Sequence, residues 1–74
     1  MQIEAQPSLD DWLLVARVAE HASLVSAAQR LGISHATAFR RLGTLEQRLG
    51  VRLFERRAGR YAPTAAGEAL AEAG

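Results

Sequence analysis

The chain has no cysteine, so it can build neither a disulfide framework nor a cysteine-based zinc site. Its two histidines, His21 and His35, do not make a metal site by themselves. No apolar run approaches the ~20 residues that a membrane helix needs. The first residues, Met1 to Gln6, are polar with one acid, which is not the pattern of a secretory signal. There is no glycine-rich phosphate loop and no HExxH pattern. Ser34 and His35 are neighbours whose side chains diverge, so they do not form a nucleophile–base pair. A catalytic domain is not expected, nor is a cofactor, a metal or a membrane partner. The expected location is the cytoplasm. At 74 residues the expectation is one small domain with a modest core.

What the chain does have is arginine, unevenly placed. The net charge is +1, yet residues 40–60 hold Arg40, Arg41, Arg48, Arg52, Arg56, Arg57 and Arg60 against Glu46 and Glu55. That segment carries +5 and the remainder −4. Charge separated in this way makes a local positive field that suits a polyanion. Without a partner, it would be only a solvated basic face.

Residues 1–7 read as a lead-in. Ser8 is expected to cap a first helix, with Asp10 and Asp11 in the first turn, where carboxylates suit the positive helix end. On a helical wheel Trp12, Val15, Ala16, Val18, Ala19 and Ala22 share one face, and Leu13 and Leu14 fall off it. Ser23 is expected to cap a short second helix, Leu24 to Leu31, which Gly32 ends in the left-handed conformation. Ile33 then turns inward. Ser34 is expected to cap a third helix, His35 to Leu49, stopped by Gly50. Its buried stripe is Ala38, Leu42, Leu45 and Leu49. Val51 to Arg56 and Gly59 to Pro63 read as two short strands about the turn Arg57-Ala58-Gly59. Thr64 is expected to cap a fourth helix running from Ala65 to Gly74.

The expected fold class is mainly α: a winged helix-turn-helix with a three-helix core, a two-stranded wing and the start of a further helix. The domain proper is expected at residues 8–63. The turn between the second and third helices is short and contains glycine, as this motif prefers. A recognition helix reads the major groove with its N-terminal half. The candidate contacts on this one are Ser34, His35, Ala36, Thr37, Phe39, Arg40 and Arg41. Arg40 and Ala36 lie opposite the buried stripe, flanked by Thr37, Phe39 and Arg41. Arg40 is the candidate for a bidentate contact to guanine, with a phosphate contact or simple exposure as the alternatives. His35 can reach a base or phosphate, or only cap locally. Thr37 can bond a phosphate, touch a thymine methyl, or bond its own backbone. Phe39 either packs on the second helix or contacts a thymine methyl. Gly43 gives clearance to a phosphate strand, or is a surface glycine without a role. Arg52, Arg56, Arg57 and Arg60 fall on the wing, where arginines neutralise phosphates or enter the minor groove. Glu46 and Glu55 are expected to pair arginines. The expected function is sequence-specific binding of double-stranded DNA at a promoter or operator. The alternative is a winged-helix module that docks a protein instead.

Residues Asp11 to Gly67 also resemble the N-terminal domain of LysR-type transcriptional regulators. The elements that carry the resemblance are Val18-Ala19-Glu20, Ser23-Leu24, Ala27-Ala28, Leu31 and Ser34. They continue through Arg40, Leu45-Glu46, Leu49-Gly50, Leu53-Phe54-Glu55-Arg56 and Thr64-Ala65-Ala66-Gly67. Ser34-His35-Ala36 stands where the family commonly has Ser-Gln-Pro, and Phe39 where serine or threonine is usual. Trp12 and Val15 replace the usual leucine and aromatic. The differences in the third helix imply an altered base preference. The resemblance implies that residues 64–74 begin a linker helix, leading to an effector domain that binds a small molecule and lies outside this sequence. It also implies homodimers in the full-length protein, with Leu13, Leu14 and the apolar side of Ala65–Ala73 as a candidate dimer surface.

Overall fold

A computed structural model describes residues 8–73. The lead-in of residues 1–7 and Gly74 lie outside the described residues. The element order is α1 (Leu9–His21), α2 (Leu24–Leu31), α3 (His35–Leu49), β1 (Phe54–Arg57), β2 (Arg60–Pro63) and α4 (Ala65–Ala73).

Each helix begins on a side chain that caps it. The Ser8 hydroxyl accepts from the Asp11 N–H at 3.2 Å, and the Asp11 carboxylate accepts from the Ser8 N–H at 3.3 Å. This reciprocal pair satisfies two amide donors that the first turn otherwise leaves open. The Ser23 hydroxyl accepts from the Ser26 N–H at 3.1 Å, and that of Thr64 from the Gly67 N–H at 3.1 Å. At the turn between α2 and α3, Gly32 takes φ +70° and its N–H bonds back to the end of α2. The Ile33 N–H reaches the Ala28 carbonyl at 3.0 Å, which brings Ile33 against the core.

The core is made by Leu14, Val15, Val18, Leu24, Ala27, Ala28, Ala38, Leu42, Leu45, Leu53 and Phe54. Leu14 is among the most buried side chains, which corrects its expected place outside the α1 stripe. The reason is that α1 packs against α2, α3, α4 and β2. It therefore buries a wider arc than a single stripe, centred on bulky Leu14, Val15 and Val18 rather than on the alanines beside them. Burial also removes Leu14 from any dimer surface, and Leu13 is half-buried. On α4, Ala66, Leu70 and Ala71 are spent against the core.

The strands start later than expected. Val51, Arg52 and Leu53 precede β1, and the register is Phe54↔Pro63, Glu55↔Ala62, Arg56↔Tyr61 and Arg57↔Arg60. Beyond that register one bond remains, from the Thr64 N–H to the Leu53 carbonyl at 2.9 Å. The amides of Leu53 and Phe54 go instead to the Glu46 carboxylate, at 2.7 and 3.3 Å. The hairpin loop is Ala58-Gly59, with φ +52° and +78°. Positive φ at both central residues is the turn whose twist matches paired strands.

Candidate nucleic-acid interface

α3 is seated by Ala38, Leu42 and Leu45, all buried, and by half-buried Leu49. At roughly 100° per residue this turns Ala36 and Arg40 directly outward, and both are exposed. His35 is exposed as well. The Ser34 hydroxyl accepts from the Thr37 N–H at 3.0 Å and donates to the Thr37 hydroxyl at 2.9 Å. Ser34 is thereby occupied in capping, while the Thr37 hydroxyl keeps its own proton to donate. Phe39 is 58% exposed, so it is not packed into the core beside α2.

The wing stands beside this face of α3. Tyr61 anchors it: its N–H donates to the Ala22 carbonyl at 3.0 Å, just past the end of α1. Its ring meets Phe54 edge-on, with centroids 6.2 Å apart. The Arg56 guanidinium lies over that ring, 5.1 Å from its centre. Such a cation–π contact restrains a long side chain on the wing surface while leaving its charge in water. Between α3 and the wing runs a hollow of about 250 Å³, lined by Phe39, Gly43, Arg52, Arg56 and Tyr61 among others.

The arginines divide by their surroundings. Arg48 lies 3.7 Å from the Asp11 carboxylate, and Arg57 lies 3.2 Å from that of Glu55. Arg41 borders two hollows with Asp10 beside the start of α1, and Arg40 borders the first of them, which Asp11 also lines. Arg52, Arg56 and Arg60 have no acidic partner among the described residues, and neither does Arg40. Apart from Arg30 on α2, the arginines without an acidic partner therefore lie on α3 and on the wing. The expected pairing of Glu55 with an arginine is found. Glu46 departs from expectation, because its carboxylate holds two backbone amides and no arginine.

Two residues outside the sequence-based expectation support the site. Tyr61 positions Arg56, and the only hint of it is an aromatic residue between basic ones on a short strand. Glu46 fixes the base of the wing, and its partners lie seven and eight residues away. Among the described residues no group of three or more His, Cys, Asp and Glu side chains could hold a metal ion. No helix there is long and apolar enough to cross a membrane.

A three-helix core with its last helix exposed beside a basic hairpin defines the winged helix-turn-helix proteins. Within that class the assignment is sharper. Residues 9–68 match the family model of the bacterial regulatory helix-turn-helix proteins of the LysR family, and the chain belongs to that family. It is 50% identical over 54 residues to a probable nitrogen assimilation transcriptional activator of Synechococcus elongatus, a match covering 73% of this chain and 17% of that protein. It is 43% identical over 60 residues to the regulator CbbR of Xanthobacter flavus, covering 81% of this chain and 18% of that protein. The matched region is thus a small part of the curated relatives' length. Among solved structures, the CbnR DNA-binding domain in complex with DNA superposes with a TM-score of 0.83 at 34% identity, covering 90% of this chain and 77% of that one. The names of these relatives are those of transcription regulators, not enzymes.

Proposed function

We propose that the chain binds double-stranded promoter DNA sequence-specifically, as the DNA-binding part of a LysR-family regulator acting in the cytoplasm. The observation that carries this reading is the set of exposed arginines without acidic partners on α3 and the wing. The likeness to a domain solved on DNA supports it. In this reading α3 enters the major groove. Arg40 reads a base edge, with Ala36 giving close approach and His35 beside it. Thr37, with a free hydroxyl proton, bonds phosphate, and Ser34 holds the helix start that presents these groups. Arg52, Arg56 and Arg60 lie along the backbone or minor groove, with Arg57 on the same ribbon partly neutralised by Glu55. Arg41, which borders both of the hollows that Asp10 lines, contributes least. The full-length protein acts as a homodimer on two half-sites, and its small-molecule effector binds a further domain.

Titration of a selected duplex at several salt concentrations tests this. The logarithm of affinity is expected to fall linearly with that of salt, by about 0.9 per phosphate neutralised. Arg56→Ala is expected to flatten that slope by about one and weaken all sequences alike. Arg40→Ala is expected to cost ~1–3 kcal/mol of discrimination at one base pair. A protein-docking module would show no salt-dependent DNA affinity for either change to alter.

A further inference from the structure

Phe39 is the least explained side chain of the interface. It is 58% exposed on the outer half of α3, where an aromatic ring contributes nothing to the core. Val25, at the start of α2, is 51% exposed beside it. The two line one hollow of about 190 Å³ with His35, Arg56 and Tyr61. Phe39 also borders the larger hollow under the wing, as do Arg56 and Tyr61, so the three form the ridge between the two. An exposed apolar ring is thus set among cations, with Arg40 next to it in sequence and Arg56 on the same ridge. The partner that fits must be anionic overall and must present a small apolar group at that point. In the major groove of duplex DNA the thymine C5-methyl is the apolar group on an otherwise polar set of base edges.

We propose that Phe39, with Val25 at its side, seats a thymine C5-methyl group and so makes this chain select thymine at one position of its site. This rests on the DNA-binding reading above and adds to it a residue and the base that it selects. The Arg56 guanidinium, held over Tyr61 at 5.1 Å, sits at the edge of the same seat. It holds the backbone while the ring meets the methyl. The contact is one of shape and desolvation, with no hydrogen bond, so it responds to removal of the methyl alone.

The test uses the 74-residue chain. A duplex is first selected from a random pool. Each thymine is then replaced, one at a time, by deoxyuridine, which lacks only that methyl. Dissociation constants are read by fluorescence anisotropy. Burial of one methyl group predicts about fourfold weaker binding at one position. In Phe39→Ala the same replacement is expected to change nothing, and in Phe39→Leu part of the penalty is expected to return. Phe39 is exposed, so a thermal melt is expected to show both variants folded. Uniform tolerance of deoxyuridine, or an undiminished penalty in Phe39→Ala, overturns the proposal while DNA binding stands. If no sequence is enriched and no duplex is bound, the DNA-binding reading itself falls, and this one with it.

Discussion

Glu46 shows how one side chain can set the geometry of an interface without facing it. It leaves α3 half-buried and accepts from the Leu53 and Phe54 amides. Those amides lie where the chain turns from α3 into the wing, at the open end of the hairpin. A carboxylate accepting two N–H groups makes charge-assisted bonds, which are stronger than neutral ones. Glu46→Ala leaves both amides without this partner, at an expected cost of ~1–3 kcal/mol. In a domain of this size that lowers the melting temperature by roughly 4–8 °C per kcal/mol. Glu46→Gln keeps one acceptor oxygen and is expected to fall between. Thermal denaturation of the three proteins checks the order. If Glu46 instead served to pair an arginine, alanine and glutamine would behave alike.

That residue also marks the boundary of what the sequence discloses. The helices were legible because their signals are local: Ser8, Ser23 and Ser34 each cap an amide three residues on, and Gly32 and Gly50 close the turns. The exposed face of α3 was legible for the same reason, since four apolar positions fix its rotation. Leu14 was not, because its burial comes from neighbours on several sides of α1 that no single-helix pattern contains. The start of β1 was not, because it depends on where the Glu46 carboxylate falls in three dimensions. Arg40 and Arg41 are adjacent and chemically identical: both border the hollow of Asp10 and Asp11, and only the fold places the second in a further hollow with Asp10, Leu31 and Ile33. At the scale of the element, Gly43 is the open question within α3. It is exposed, and a Cβ built on it meets nothing within 4 Å. Glycine inside a helix costs about 1 kcal/mol relative to alanine. Gly43→Ala is therefore expected to stabilise the free domain by about that amount, read as a higher melting temperature. DNA affinity that falls as stability rises would show that the glycine gives clearance to the duplex; unchanged affinity would show that it has no such role.

Across the whole molecule, the wing and α4 are tied at one point, and that joint governs how both are carried on the helical core. The Thr64 N–H donates to the Leu53 carbonyl at 2.9 Å, and its hydroxyl donates to the Arg52 carbonyl at 2.6 Å. The same hydroxyl caps α4 through Gly67. Gly67 is itself buried, and a Cβ there would collide with the Leu53 carbonyl oxygen. The pattern Thr64-Ala65-Ala66-Gly67 thus has a steric cause: threonine ties the base of the wing to the new helix, and glycine lets that helix lie against the strand's approach. Because the obstacle is backbone, no side chain can swing away to make room. Gly67→Ala is expected to destabilise the domain by about 1–3 kcal/mol or more, as overpacking does. The same substitution is thus expected to raise the melting temperature in α3 and lower it in α4, a difference of sign that helix propensity alone would not produce. If both variants are stabilised, the close approach of α4 to Leu53 is not what holds the wing. If Gly67→Ala is destabilised as expected, its DNA affinity should fall further than stability alone accounts for, because a displaced Leu53 moves Arg52 and Arg56 with it.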